Sequence, residues 1–320
     1  NTVMDIDPTV AMYIAAFIIV AYTFLGGFSA VCWTDFFQGM IMLAALLVAP
    51  LFALALAKAG DGAVAGATLP EGFFNFFTTP QDIISGLGWG LGYFGMPHII
   101  IRFMSLKSEK ELRKSSVIGI SWTTIILIMS ALTAVAGRLY LGEIDDPSTV
   151  FITMVRRIFP ALVSGLLLSA ILSAAMSTAD SQLLAASSAF ASDVYKPVIR
   201  KKASDSEMLW AGRIVVIVIA VVALMIASDP NSGSIMGLVE NAWGVFGAAF
   251  GPVILLSLFW KRLTFGGTVA GIAAGAAVDI LWLVFLSSTD IYEIVPGFAA
   301  GLLAAVVVSL LSKGPGKDVE

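Results

Sequence analysis

The chain of 320 residues is 58% hydrophobic and only 12% charged, with a mean hydropathy of +0.95 and a formal net charge of −4. Soluble domains carry about a quarter charged residues. Apolar runs long enough to cross a bilayer recur along the whole length, so the composition excludes a soluble domain and marks an all-α polytopic membrane protein. The runs do not alternate as barrel strands would, and a single cysteine, Cys32, excludes an intrachain disulfide framework and a Cys-rich metal site.

The chain opens at Asn1 with no initiator Met, signal peptide or basic leader, and an N-terminal portion is expected to be missing. Nine spans are expected. The first covers about Thr9 to Leu25 and stops at Gly26-Gly27; the second covers about Ser29 to Leu56. A loop of Gly, Ala and Phe follows, carrying Asp61 and Glu71. The third span, Gln81 to Phe103, is rich in glycine, and the fourth and fifth cover about Glu111 to Leu141 and Pro160 to Tyr195. The last four are Met208–Ser228, Ile235–Trp260, Phe265–Leu286 and Val295–Leu311. At about 1.5 Å per residue the fifth would reach roughly 50 Å against a hydrocarbon core of about 30 Å, so it must tilt or protrude into water.

Basic residues divide unevenly between alternate loops. One set holds Arg102, Lys107, Lys110, Arg113, Lys114, Lys196, Arg200, Lys201, Lys202, Arg213, Lys261, Arg262, Lys313 and Lys317; the other holds Lys58, Arg138, Arg156 and Arg157. Fourteen against four places the first set in the cytoplasm. Asn1 is then outside and Glu320 inside, as an odd number of spans requires.

The stretch "SAILSAAMSTADSQLLAASSAF", Ser169 to Phe190, lays a polar stripe along a membrane helix. Residues three and four apart share a helix face, which aligns Ala174, Ser177, Ser181, Ala185 and Ser188, flanked by Thr178 and Asp180. Small residues also let membrane helices approach closely, and Ser173, Ser187 and Ser188 fit that reading equally well. Asp180 is different. A mid-membrane carboxylate costs about 2.5–3.5 kcal/mol even on lenient insertion scales, and such residues usually line ion or substrate paths. Hydroxyl and carboxylate oxygens are what a hard cation takes; an ion pair is the structural alternative for Asp180.

Asp35, in "AVCWTDFFQGM", has two readings. It or Thr34 caps a helix N-terminus, or it faces Asp180 and Ser181 across a helix interface and shares a cation. In "GLGWGLGYFGMPHIIIRFM", Gly86 to Met104, five glycines and a proline interrupt an apolar span. Broken helices expose backbone groups to midplane sites in transporters. Trp89, Tyr93 and Pro97 recur four residues apart, and an aromatic face there suits an amphipathic or ammonium-bearing ligand; ordinary aromatic packing is the alternative. His98, the single histidine, reads as structural. Glu240 in "GLVENAWGVFGAAFGP" could line an entrance pathway, and Asp279 in "GAAVDILWL" is as readily a packing residue.

The segments "YTFLGGFSAVCWTDFFQGM", "GWGLGYFGMPHIIIRFM", "LLLSAILSAAMSTADSQLLAASSA", "WGVFGAAFGPVILLSLFW" and "YEIVPGF" resemble the sodium:solute symporter family, and within it the proline-transporting branch, along essentially the whole chain. The resemblance implies the leucine-transporter-like five-plus-five inverted-repeat fold. Residues 1–320 would be one transporter domain: 1–57 the end of the first repeat, 81–260 the second repeat, and 265–311 two trailing helices. Core helices 1 to 3 and the helix before them would be absent, and with them the backbone oxygens of the unwound first core helix. The family's sodium site would map to the Ala174 carbonyl, Ser177 and Thr178. A second cation site seen in some members would use Asp35, with Asp180 and Ser181. Proline binding would map to Trp89, Tyr93 and Pro97. Asp180, where relatives often have an uncharged residue, and the Glu240-Asn241 pair depart from the family pattern.

The implied function is sodium-coupled uptake of L-proline by alternating access, with Na⁺ as coupling ion, in a bacterial inner membrane with the C-terminus cytoplasmic. No cofactor, no nucleic-acid partner and no enzymatic activity are implied; the lipid bilayer is the surrounding partner. Pantothenate or another small carboxylate is the alternative substrate. An intramembrane serine hydrolase lacks a G-x-S-x-G elbow, and a channel should show rings of like charge or carbonyls, of which none is evident.

Overall fold

The structure is a computed structural model and describes residues 7–64, 66–75, 79–229 and 233–314. The chain ends assigned to opposite sides of the membrane, Asn1 and Glu320, and the basic residue Lys317 lie outside the described residues. Among the described residues ten α-helices follow in order: α1 (Pro8–Ala59), α2 (Pro80–Gly92), α3 (Pro97–Met104), α4 (Glu109–Leu141), α5 (Val150–Ile158), α6 (Ala161–Ala189), α7 (Asp205–Ala227), α8 (Ile235–Phe259), α9 (Phe265–Phe285) and α10 (Ile294–Leu311). Seven of the described helices are long and apolar enough to cross a membrane, so the chain is a multi-pass membrane protein.

Helix α1 has 52 residues, and a straight helix of that length would reach about 78 Å, more than twice the hydrocarbon thickness. It is not straight. Gly27 sits at φ 57°, ψ −155°, a backbone region that a residue with a Cβ avoids. Two helical segments therefore meet at Gly27, where the sequence places the break between its first two spans. Asp7 starts the helix by accepting from the amides of Thr9 and Val10 at 2.9 and 3.2 Å, and Gly60 ends it in the left-handed conformation.

The chain forms two compact units. Unit 1 is Asn1–Phe73 with Lys107–Asp229, and unit 2 is Phe74–Leu106 with Pro230–Glu320. In unit 1, α1 packs on α6 and α4. Ala45, Ala49 and Ala53 recur every four residues on α1 and are fully buried with Ala136 of α4. Small side chains at that spacing let the helix backbones approach. Helix α5 has nine residues and is too short to span. It buries Met154 and Val155 completely in this core and leaves Arg156 and Arg157 exposed. The sequence reading assigned no element between Leu141 and Pro160, because an amphipathic turn of two or three windings has no span-length signature.

Helix α6 continues into a π-helical stretch, Phe190–Ile199, which contains Pro197. The helical run is thus longer than the span expected from Pro160 to Tyr195. Its far end is tied to the start of α7: Tyr195 donates to Glu207 Oε1 at 2.8 Å, and Arg200 Nε lies 2.8 Å from the same oxygen.

In unit 2, α8, α9 and α10 pack on one another, and α2 packs on α8 and α10. The buried positions of α9 are Gly267, Gly271, Gly275 and Asp279, four residues apart. A Cβ on Gly271 would lie 2.8 Å from Ala305 Cβ and 3.0 Å from the Gly301 carbonyl oxygen, so α9 and α10 touch nearly backbone to backbone. Helix α2 starts with a capping box, Thr79 and Asp82 each accepting from the other's backbone amide. It stops at Gly92, the chain turns through residues 93–96, and Pro97 starts α3 with its missing N–H at a position that needs none.

Candidate functional site

Unit 1 gathers oxygen atoms around one stretch of α6. The Ala174 carbonyl accepts from Ser177 Oγ at 3.1 Å and from Thr178 Oγ1 at 3.0 Å. The three residues proposed from sequence for one cation are therefore adjacent, as helical spacing dictates. Each hydroxyl spends its proton on the carbonyl and keeps lone pairs for a further partner.

One turn on, Ser181 Oγ lies 2.8 Å from the Ser177 carbonyl oxygen, 3.2 Å from Asp35 Oδ2 and 3.3 Å from Asp180 Oδ1. A hydroxyl has one proton and cannot serve three acceptors at once. Asp35 comes from α1 and Asp180 from α6, and the structure brings both to Ser181. Ser177 belongs to both groups, its hydroxyl bonded to Ala174 and its carbonyl facing Ser181. The result is a continuous run of hydroxyl, carbonyl and carboxylate oxygens, the donor type a hard cation takes.

The capping alternative for Asp35 is not what the structure shows. Asp35 lies eight residues past Gly27, inside α1, where the amides are already bonded along the helix. Thr34 Oγ1 likewise donates to the carbonyls of Ala30 and Val31 at 3.0 and 2.9 Å and caps nothing. Nor does Asp180 form an ion pair among the described residues. It is fully buried and accepts from Tyr22 Oη at 2.5 Å. Tyr22 was missed by the sequence reading, although it sits within the quoted segment "YTFLGGFSAVCWTDFFQGM". The available signal was weak: a tyrosine in an apolar helix normally has a partner for its hydroxyl, but nothing local names that partner.

Unit 2 holds the aromatic group. Trp89 lies on α2 with ring centroids 6.1 Å from Trp243 and 5.5 Å from Tyr292, and Tyr93 meets Trp243 edge-on at 4.8 Å. Trp243 Nε1 donates to the Trp89 carbonyl at 2.9 Å, and Tyr292 Oη donates to the Glu240 carbonyl at 2.8 Å. Tyr93 is half exposed at the end of α2. Trp89 and Tyr93 thus share a helical face, but Pro97 is not on it: the turn at residues 93–96 separates Pro97 from α2, so its four-residue spacing from Tyr93 is not a helical one. Sequence spacing treated the glycine-rich stretch as one helix in that respect, while also reading it as broken; the structure keeps the break. The glycines explain why. A Cβ on Gly95 would lie 2.8 Å from Gly247 Cα, so the turn rests directly on α8. Trp243 and Tyr292 were not singled out from sequence, because their relation to Trp89 exists only after α8 and α10 pack on α2.

Asp279, Glu293 and Glu240 lie in unit 2. Asp279 on α9 is fully buried, Glu293 before α10 is 7% exposed, and Glu240 on α8 is half-buried.

The profile of the sodium:solute symporter family matches residues 1–275. The high-affinity proline transporter PutP of Bacillus subtilis is 43% identical over 326 aligned residues, covering all of this chain and 69% of that one. The osmoregulated proline transporter OpuE of the same organism is 42% identical, covering 97% of this chain and 65% of its own length. A sodium/proline symporter of Haemophilus influenzae is 43% identical, covering all of this chain and 67% of its own length. The chain thus spans about two thirds of the length of the curated relatives it matches. Among solved structures, a substrate-bound, outward-open Na⁺-coupled sialic acid symporter superposes with a TM-score of 0.76 at 20% identity, over 97% of this chain and 68% of that one, which establishes a shared fold.

Proposed function

Because this chain belongs to the sodium:solute symporter family, we propose that it carries out sodium-coupled uptake of L-proline by alternating access. The family is one of solute symporters rather than enzymes. The observation that carries the reading is the oxygen run of α6, with the Ala174 carbonyl, Ser177 and Thr178 bonded together and Ser181 linking them to Asp35 and Asp180. The proline-transporter names of its relatives supply the substrate.

In this reading Ala174, Ser177 and Thr178 hold the coupling sodium, and Asp35, Asp180 and Ser181 hold a second cation. Trp89 and Tyr93 cover the amphipathic ring of proline, and Pro97 lies at the helix break beside them in sequence. The membrane potential contributes about 2.3 kcal/mol per charge per 100 mV, and a tenfold sodium gradient about 1.4 kcal/mol. One sodium per proline then supports accumulation of roughly several hundredfold.

The domain reading is a single transporter domain, with residues 1–57 closing one repeat, 81–260 forming the second and 265–311 trailing it. Of the basic residues, fourteen lie in the alternate loops assigned to the cytoplasm, which supports a bacterial inner-membrane protein with a cytoplasmic C-terminus.

The test is radiolabelled L-proline uptake into proteoliposomes, with and without an inward sodium gradient. Uptake that requires sodium, is lost when Trp89 is replaced by Ala and needs more sodium when Ser177 is replaced by Ala, is the expected result. No proline uptake, with sodium still changing tryptophan fluorescence, removes proline and leaves a symporter for another small carboxylate. No response to either removes the reading.

A further inference from the structure

Both oxygens of Asp279 and Oε1 of Glu293 are buried without a hydrogen-bond partner. They converge on the same space beside α8: a Cβ on Gly244 would lie 3.1 Å from Asp279 Oδ1 and 3.3 Å from Glu293 Oε1. A side chain at Gly244 would crowd both carboxyl groups. Asp279 continues the glycine stripe of α9, so the helix presents it inward, and a Cβ on Gly297 of α10 would lie 2.9 Å from Asp279 Cβ. Gly244 and Gly297 thus both stand against the pair.

Among the described residues no ion pair involves these acids, and Arg262, which meets α10, donates to the Leu310 carbonyl at 3.2 Å, at the other end of that helix. The elements packed on α9 and α10 are α2, α8 and the turn Ser287–Thr289. None of these elements, nor α9 or α10, contains a Lys, Arg or His. The titratable groups they bring are Glu240 of α8, Tyr292, and the exposed Asp82 and Asp290. Tyr292 directs its hydroxyl to the Glu240 carbonyl, and Asp82 is engaged with Thr79. Two ionised carboxylates buried without a donor would repel each other and lose their hydration, so the doubly charged form is disfavoured. Two carboxyl groups facing one space can instead supply their own donor, one protonated and one not.

We propose that Asp279 and Glu293 form a proton-binding site in unit 2, in which one proton is held by the pair at neutral pH. The site is separate in its residues from the cation-binding run of α6 and does not rest on the proposed transport function. Burial also raises the Glu293 carboxyl above its ordinary value of 4.5.

Infrared difference spectroscopy of the protein in lipid, in H₂O and D₂O, tests this directly through the carbonyl stretch of a protonated carboxyl group. At neutral pH the wild-type protein should show this band, shifted by deuterium. The band should lose one carboxyl equivalent in Asp279→Asn, and Glu293→Gln should give the same loss where Asp279→Asn does not fold. Gly244→Ala, which drives a methyl group against both oxygens, should shift the band without removing an acid. A wild-type spectrum with no protonated-carboxyl band at neutral pH overturns the proposal. So does a carboxylate band that responds to added sodium or calcium and not to pH, which would make the pair a metal site.

Discussion

Tyr22 donates its hydroxyl proton to Asp180 at 2.5 Å, joining the first segment of α1 to the middle of α6. It is the shortest polar link to the acid, whose other oxygen, Oδ1, lies 3.3 Å from Ser181 Oγ. A fully buried carboxylate needs such donors, since an unmet acceptor costs about 1–3 kcal/mol and more when charged.

Tyr22→Phe removes that donor and keeps the ring. We expect a loss of about 1–3 kcal/mol in stability. The loss should largely disappear in an Asp180→Asn background, because the two residues form one unit. A double-mutant cycle by chemical unfolding in detergent measures this. Additive losses would mean that the link contributes nothing of its own.

Ser177→Ala and Thr178→Ala each remove one oxygen from the α6 run. A hydrogen bond or ligand contact to a charged group contributes about 1.5–3 kcal/mol, so the sodium concentration for half-maximal transport should rise about tenfold or more. Thermal stability should change little, since Ser177 is only partly buried and Thr178 is exposed. Sodium-dependence curves of proline uptake give the result, and unchanged curves in both variants would move the site elsewhere.

Gly27→Ala places a Cβ on a backbone at φ 57°, ψ −155°. Nothing lies within 4 Å of that Cβ, so crowding is not the problem and the cost is conformational, about 1–3 kcal/mol. Gly275→Ala fails for the opposite reason: its backbone is ordinary helix, but the new methyl would strike the Ala248 backbone, with Ala249 Cα at 3.2 Å. The expected loss is again about 1–3 kcal/mol. Unfolding midpoints separate the two causes when combined with Gly244→Ala, which should be additive with Gly27→Ala and not with Gly275→Ala.

The pH dependence of stability has a definite sign at Glu293. Burial raises its carboxyl above 4.5, so the folded state holds the proton more tightly than the unfolded chain does. That contribution is complete below pH 4.5 and is lost as pH rises through the folded value. Stability of the wild-type protein should therefore decline across that window, and the Glu293→Gln variant should lack this component. Equal pH profiles for the two proteins would show that Glu293 titrates normally.

Much of the fold was legible in the chain because each signal is local. Span-length apolar runs, the Gly26-Gly27 interruption, and the glycines and proline at Gly86–Pro97 need no partner to be read. The spacing of Ala174, Ser177 and Thr178 likewise follows from one helix alone. Sequence reading fell short where the cause is not local. Helix α5 is too short to announce itself. Pro97 lies off the Trp89–Tyr93 face because the turn before it rests on α8.

The sequence by itself determined which segments are apolar enough to leave water, where the backbone is free to break, and which oxygens lie along one face of α6. These follow from hydrophobic length, from the conformational freedom of glycine and from helical periodicity. Only the tertiary structure decided which distant groups meet those oxygens and acids. Tyr22 and Asp35 reach Asp180 and Ser181 because α1 packs on α6, and Asp279 meets Glu293 because a glycine stripe draws α9 onto α10. Small residues set how near two helices come, but the pairing of their polar neighbours exists only once they have packed.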